Sequence, residues 1–303
     1  MGPYELLSLF FQFLDSFAFL VLATVGLAII FGMMGVINLA HGEFILVGAY
    51  ATTLSFHSLA DLGVPLALPI AMVVGVLVTM VFGLVLEVTV MRRLYGRLLD
   101  SMVATWAISL IMIQLLRIQF GNSIDNIAIP GGNVSFGPYT NPYYELFLVG
   151  AAIAVLVGLY WLFTRTDFGM RARATIQDKE TARSMGVDTD RMYMTTFVIG
   201  SGLAGLTGAL YAPMQSMSPE AGTGFLVEAF VTVVVGGTSV IVGTLLASGL
   251  LGLPKAGFEY AFNSQLIGQV AMLVVAIVAI RLMPSGITGL VESWRQSRRE
   301  SND

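Results

Sequence analysis

The feature that most constrains this chain is a series of apolar stretches, several of them long enough to cross a lipid bilayer. A helix needs about 20 mostly apolar residues to span the roughly 30 Å hydrocarbon core. Of the 303 residues, 56% are hydrophobic and only 11% are charged, whereas soluble domains carry about 25% charged residues. The sequence therefore predicts an all-α fold, a polytopic transmembrane helical bundle that forms a single domain over residues 1–303.

The apolar stretches predict about eight spans, at 6–30, 44–60, 64–90, 101–120, 145–164, 192–213, 225–253 and 264–283. The seventh would be about 43 Å long as one helix, and Gly236-Gly237-Thr238-Ser239 interrupts it. We expect two short or re-entrant helical pieces that meet there. Non-helical backbone at membrane depth is tolerated where protein or a watery cavity satisfies its polar groups, so this break at 236–239 should face a translocation path.

The basic residues predict the orientation of the chain. None precedes Arg92, and they then cluster at 92–97, 165–191 and 295–299. The positive-inside rule makes these three places cytoplasmic. The segment 121–144, which is rich in Pro and Gly, is then an external loop, and 165–191 is a cytoplasmic loop. We expect a multi-pass protein of a bacterial inner membrane.

Several functional classes lack support in the sequence. Cysteine is absent and only two histidines occur, so neither a metal site nor a disulfide is expected. Neither lysine, Lys179 or Lys255, follows a glycine, so the chain has no phosphate-binding loop of the G-x-x-x-x-G-K-[ST] type. No acid-base pair or catalytic triad can be defended, and no nucleic-acid partner is suggested. We therefore expect a non-catalytic chain that binds no cofactor itself.

A polar corner near 31–43 interrupts the apolar sequence and contains Asn38, His41, Gly42 and Glu43. Ionisable groups at membrane depth usually face a cavity or a partner. One interpretation is therefore an unwound corner that lines a solute path. The other is an ordinary turn at the membrane surface, with His41 and Glu43 in water. Two further carboxylates, Glu87 and Glu228, lie in apolar spans and could line the path. The alternative is that Glu87, which is close to the basic loop, pairs there and that Glu228 lies at the outer interface.

The cytoplasmic loop can form a short amphipathic helix over 174–185, with Ile176, Ala182 and Met185 as candidate apolar contacts and Gly186 as its C-terminal stop. Such a helix is suited to transmitting force from a motor protein. The alternative is a solvated basic linker. A separate segment, 195–210, carries small residues at helical spacing, namely Gly200, Ser201, Gly205 and Gly208. This pattern is typical of close helix packing within the chain, or else of a gating helix or a contact with a partner.

Four blocks of the sequence resemble one transporter family. Gly35 to Phe44 (GVINLAHGEF), followed by Gly48-Ala49-Tyr50, resembles the signature of the permeases for branched-chain amino acids and amides, including urea importers. Thr196 to Leu210, Val233 to Ala247 and Met283 to Leu290 continue the resemblance. Within the cytoplasmic loop, Glu180-Thr181-Ala182-x-x-x-Gly186 resembles the coupling motif of ATP-driven importers, with Thr181 in place of a small residue. The chain resembles the first, H-type permease subunit.

The resemblance implies a division of labour. This subunit would pair with a second, homologous permease, two cytoplasmic ATP-binding subunits would hydrolyse ATP, and a periplasmic or surface solute-binding protein would deliver the solute. Glu180, Thr181, Ala182 and Gly186 would contact the ATPase, while the polar corner and residues 236–239 would line the path. The scarcity of fixed charges suits small neutral or zwitterionic solutes, either branched-chain amino acids or urea and short amides, with a lean towards the amide branch. A stand-alone secondary transporter or channel is the alternative.

Overall fold

The computed structural model of the chain describes residues 2–137, 139–237, 239–284 and 286–289. Its elements are α1 (Pro3–Met34), α2 (His41–Ser58), α3 (Val64–Thr89), α4 (Leu98–Phe120), β1 (Asn133–Phe136), β2 (Tyr139–Pro142), α5 (Tyr143–Arg165), α6 (Asp167–Gln177), α7 (Lys179–Ser184), α8 (Thr189–Tyr211), α9 (Ala221–Gly236), α10 (Val240–Phe262) and α11 (Gln265–Leu282). Single 3-10 turns follow α2 and α3. The basic residues predicted near the C-terminus, 295–299, lie outside the described residues.

The predicted all-α membrane fold is confirmed. Among the described residues, seven helices are long and apolar enough to cross a membrane: α1, α3, α4, α5, α8, α10 and α11. The long stretch predicted over 225–253 is indeed two helices, α9 and α10. Its predicted end was wrong, because α10 continues through Pro254 and Lys255 to Phe262. The chain is therefore a multi-pass membrane protein.

Helix α2 differs from the predicted span at 44–60. It is 18 residues long but is not among the seven apolar spans, because it carries polar residues along its length. Protein rather than lipid surrounds these residues: His41, Glu43, Thr52 and Thr53 are all buried. Helix α2 packs mainly on α3 and α8, and its polar groups are shielded by these and other helices, with Glu43 in contact with α4.

The predicted external loop contains a short β-hairpin that the sequence analysis did not anticipate. Strands β1 and β2 pair antiparallel, with Asn133 opposite Pro142 and Phe136 opposite Tyr139. The hydroxyl of Tyr260 on α10 donates a hydrogen bond to the Tyr139 hydroxyl at 3.1 Å. The loop is therefore an ordered structure that is attached to α10.

The chain divides into two compact units. The first joins residues 1–24, 131–154 and the described residues from 228 onwards; the second joins residues 25–130 and 155–227. In the second unit α2, α3 and α8 pack together, and the Phe44 ring lies edge-on to Phe82 and Phe197, with centroids 5.4 and 5.9 Å away. In the first unit α10 packs against α11. That the two units form one membrane domain stays a prediction.

Candidate functional site

The polar corner of the second unit is shorter than predicted. Helix α1 continues to Met34 and α2 begins at His41, so only residues 35–40 are unwound. Two side chains bind the backbone there: the Leu39 amide donates to the Thr105 hydroxyl on α4, and the Ala40 amide donates to Oδ1 of Asn38, both at 3.0 Å. Buried backbone donors cost free energy when unpaired. Asn38 and Thr105 therefore stabilise the interruption between the helices.

Glu43 lies in the first turn of α2 and is 1% exposed. Its Oε1 accepts a hydrogen bond from the Ser109 hydroxyl on α4 at 2.5 Å. Its Oε2 lies so close to Gly222 that a Cβ atom there would collide with it, and it has no hydrogen-bond partner within the described part of the chain. His41 is also fully buried. The structure thus rules out a turn with both side chains in water, while their place on a solute path stays a prediction.

The break in the first unit lies between α9 and α10. Gly237 has a φ of +82°, in the left-handed region that glycine adopts readily. Gly236 packs so closely on Gly243 that a Cβ atom at either position would approach the other's backbone to within 2.8 Å. The Thr288 hydroxyl donates to the Gly236 carbonyl at 3.0 Å, so a protein group satisfies the backbone there, as membrane-depth breaks require. Ser239 precedes α10, and Thr238 lies outside the described residues.

The segment predicted to be cytoplasmic contains two helices, α6 and α7, rather than one helix over 174–185. Asp178 separates them, because its carboxylate accepts hydrogen bonds from the Glu180 and Thr181 amides and from the Thr181 hydroxyl. These are the bonds of an N-cap, which starts a new helix. The same bonds, that of the Thr181 hydroxyl first, hold the pKa of Asp178 below its usual value. Glu180, Thr181 and Ala182 therefore lie on a separately capped helix.

Gly186 ends α7, as predicted. Its φ is +87°, the Val187 amide donates to the Ala182 carbonyl, and the Gly186 amide donates to the Arg183 carbonyl. These two bonds make a Schellman motif. Ala182 is buried, but Met185 is 80% exposed and Ile176 is also exposed. Beside the motif lies a hollow of about 440 Å³, lined in part by Met185, Gly186 and Arg191.

The small residues of α8 lie where other backbones and side chains come close. A Cβ atom at Gly200 would approach Ile30 to 2.6 Å, and one at Gly205 would approach Thr79 to 2.6 Å. One at Gly208 would collide with the Ile45 carbonyl on α2. Ser201 is fully buried, and its hydroxyl donates to the Phe197 carbonyl within the helix. These residues thus lie at close contacts inside the second unit.

Glu228, expected either on the path or at the outer interface, has an opposite charge beside it. It is buried in the first unit, where it pairs with Lys255. Glu87 is also buried, and it accepts a hydrogen bond from the Tyr95 hydroxyl at 2.7 Å. Burial first, and the bond to Glu87 second, raise the pKa of Tyr95. Glu228 is therefore paired with side chains of other helices, whereas Glu87 is bonded through Oε1 and its Oε2 has no hydrogen-bond partner within the described residues.

The sequence analysis missed Thr105 and Ser109, which support the polar corner. One signal could have revealed them: Ser101, Thr105 and Ser109 recur every four residues in an apolar helix, and all three are buried. Residues four apart lie on one face of a helix. Such a stripe predicts a face of α4 turned towards protein.

A helical membrane bundle with two interrupted helices, each interruption bordered by buried polar groups, is typical of transport proteins. The sequence matches the family described as "Branched-chain amino acid transport system / permease component" over residues 9–281. The chain therefore belongs to this family of transport permease components.

Three relatives illustrate the likeness. A probable branched-chain amino acid transport permease protein LivH of Methanocaldococcus jannaschii is 28% identical over 294 residues, which cover 92% of this chain and 91% of the relative. The high-affinity branched-chain amino acid transport system permease protein BraD of Pseudomonas aeruginosa is 28% identical over 283 residues, which cover 89% of this chain and 92% of the relative. The high-affinity branched-chain amino acid transport system permease protein LivH of Escherichia coli strain K12 is 24% identical over 288 residues, which cover 89% of this chain and 91% of the relative. No solved structure matches the chain.

Proposed function

We propose that this chain forms half of the translocation path of an ATP-driven importer for small neutral or zwitterionic solutes, with branched-chain amino acids as the first candidates. The observation that carries the proposal is the family match over residues 9–281, which includes both interruptions of the helices. Asn38, His41, Gly42 and Glu43 would line the path from one interruption. Gly236 to Ser239 would line it from the other.

The energy would come from separate ATP-binding subunits, since the sequence has no phosphate-binding loop. The partners would be two such subunits, a second homologous permease and a solute-binding protein. Glu180, Thr181, Ala182 and Gly186 would contact the ATPase. The exposure of Met185 and Ile176 on this segment supports a partner there, because exposed apolar groups next to a hollow are a common feature of protein interfaces.

The solute class follows from the balance of charge. Glu228 is neutralised by Lys255 inside the first unit, and Glu43 is shielded from water by its neighbours. An unpaired charge is costly in a low-dielectric interior, so a solute with net charge would cross such a path poorly. A zwitterion or a neutral amide suits it better. The names of the relatives favour branched-chain amino acids, and urea is the second solute to test.

The test is uptake of labelled leucine and labelled urea by cells with and without this gene, repeated after ATP is depleted while the proton gradient is kept. We expect leucine uptake to require both the gene and ATP. Loss of urea uptake instead would assign the chain to the amide branch. Uptake that survives ATP depletion would contradict the importer proposal and favour a secondary transporter or channel.

The path itself is tested with one substitution at the corner and a control substitution on the helix that follows it. Asn38→Leu should lower uptake without changing the amount of protein in the membrane, because it removes a buried amide and its bond to the Ala40 backbone. Leu54→Ala on α2, the helix that follows the corner, replaces an exposed apolar residue and should leave uptake unchanged. Normal uptake by Asn38→Leu would show that the corner is structural only.

A further inference from the structure

A charged cluster is buried in the first unit at the junction of α9, α10 and α11. The Glu228 carboxylate on α9 lies 2.5 Å from the Lys255 ammonium on α10, and its other oxygen accepts a hydrogen bond from the Gln269 amide on α11 at 2.8 Å. The two charged side chains are 3% and 7% exposed. The ammonium also lies 5.0 Å from the centroid of the Phe19 ring. Every strong polar contact of this carboxylate thus goes to a neighbouring helix.

Helix α9 needs an anchor because it is short. Its 16 residues extend about 24 Å, less than the roughly 30 Å of the hydrocarbon core. It cannot reach both membrane surfaces, so surface anchors alone do not set its depth. Apolarity alone does not set its depth either, since lipid offers α9 the same apolar surroundings that neighbouring helices do. Its depth therefore depends on close packing, as between Gly236 and Gly243, and on directional contacts with its neighbours.

The cluster supplies that contact. Sliding α9 by one helical turn, about 5.4 Å, would separate the Glu228 carboxylate from the Lys255 ammonium. Separating them would leave two uncompensated buried charges, which is strongly unfavourable, and fixing a register is the best-attested role of buried polar groups. Nine residues, about 13 Å of helix, connect Glu228 to the break at Gly237. The depth of the cluster therefore determines the depth of the break.

We propose that Glu228, Lys255 and Gln269 are positioning residues that hold α9 in one register against α10 and α11, and thereby fix the place of the break between α9 and α10. The proposal rests on the proposed function in one respect, namely that this break borders the solute path. Thr288 adds a second attachment, through its bond to the Gly236 carbonyl at the end of the helix. The short helix is thus held at its middle and at its C-terminal end.

The test uses the absence of cysteine from the chain. Ser239→Cys places a single thiol at the break, and its rate of reaction with a water-soluble maleimide, in membranes and well below the unfolding temperature, reports the position of the break. Glu228→Gln and Lys255→Met are made singly and together in this background. Arg97→Gln is the matched control, because Arg97 pairs with Asp100 through side chains that are 66% and 45% exposed.

We expect each single variant to change the labelling rate at position 239 by on the order of tenfold or more, because breaking one side of a buried pair is strongly unfavourable. The double variant, which removes both the attraction of Lys255 and the repulsion of Glu228 on the neighbouring half-buried Glu259, should recover most of the original rate, and Arg97→Gln should have no effect. Leucine uptake should follow the same order. The thermal midpoint and the amount of protein in the membrane are measured for every variant, because a general loss of folding in the single variants would lower both, whereas a shift of the break changes the labelling rate of folded protein.

Two results would overturn the proposal. If the single effects simply add in the double variant, the two side chains do not act as a pair. If the labelling rates of all variants equal that of the parent while the KM for leucine rises in the double variant, the pair acts on the solute and not on the helix. The labelling rate does not depend on transport. A parent chain that takes up neither leucine nor urea would therefore contradict the proposed function and leave the labelling test of positioning intact.

Discussion

Gly186 offers the sharpest test of the segment 165–191, because the effect of its backbone conformation can be separated from the effect of the size of an introduced side chain. Its φ of +87° lies in the left-handed region. A Cβ atom at this position would meet nothing within 4 Å, so a substitution there creates no collision within the chain. The cost of replacing it comes from the backbone and is about 1–2 kcal/mol for an ordinary L-residue. This corresponds to a factor of about 5–30 in the population of the Schellman motif.

Three variants separate the effect of backbone conformation from the effect of side-chain size. Gly186→Val should be the most harmful, Gly186→Ala intermediate, and Gly186→Asn nearly neutral, because asparagine tolerates the left-handed region and is also found at helix ends. Hydrogen exchange measures the motif directly through the Val187 and Gly186 amides, which donate to Ala182 and Arg183. Solute moved per ATP hydrolysed, in proteoliposomes with the partner subunits, measures coupling. Protection of these two amides from exchange and the solute moved per ATP should both fall most in Gly186→Val, less in Gly186→Ala and least in Gly186→Asn.

The reasoning would be refuted if Gly186→Asn lost coupling as fully as Gly186→Val. In that case contact with a partner, not the backbone conformation, would require a glycine. Normal coupling in Gly186→Val would instead remove Gly186 from the proposed ATPase contact.

Three further predictions concern the rest of the site. Ser109→Ala removes the bond to buried Glu43 and should destabilise the chain by about 1–3 kcal/mol, measured as a lower thermal midpoint; Ser109→Thr, which keeps the hydroxyl, should be milder. Gly208→Ala should cost about 1–3 kcal/mol by overpacking, since its Cβ atom would meet the α2 backbone, whereas Gly249→Ala meets nothing within 4 Å and should leave the midpoint unchanged or raised. The N-cap made by Asp178 depends on its carboxylate, whose pKa is lowered, so its stabilisation is complete above about pH 4 and lost as the pH falls further. Hydrogen-exchange rates over 179–184, corrected for intrinsic rates, should rise below that pH in the parent. In Asp178→Ala these rates should be raised at every pH. In Asp178→Asn they should show no such pH-dependent transition.

Much of the candidate site could be predicted because its signals are local. The polar corner stands out from an apolar background, as does Gly236-Gly237, and the structure has an interruption at each place. Gly186 was recognisable as a helix stop from sequence. The partners of these residues were not, because Ser109 is 66 residues from Glu43 and Thr288 is 52 residues from Gly236. No local pattern connects positions so far apart.

By itself the sequence determined that this chain spans a membrane with helices, since apolarity and length are properties of each segment taken alone. The tertiary structure decided how each polar group is accommodated. The predicted end at residue 253 shows the difference: Pro254 and Lys255 look unsuitable for the interior of an apolar helix, yet α10 continues through both. The ammonium can lie in the interior because Glu228, 27 residues away, neutralises it. A charge next to an opposite charge costs far less to bury than a charge alone, and only the folded chain brings the two together.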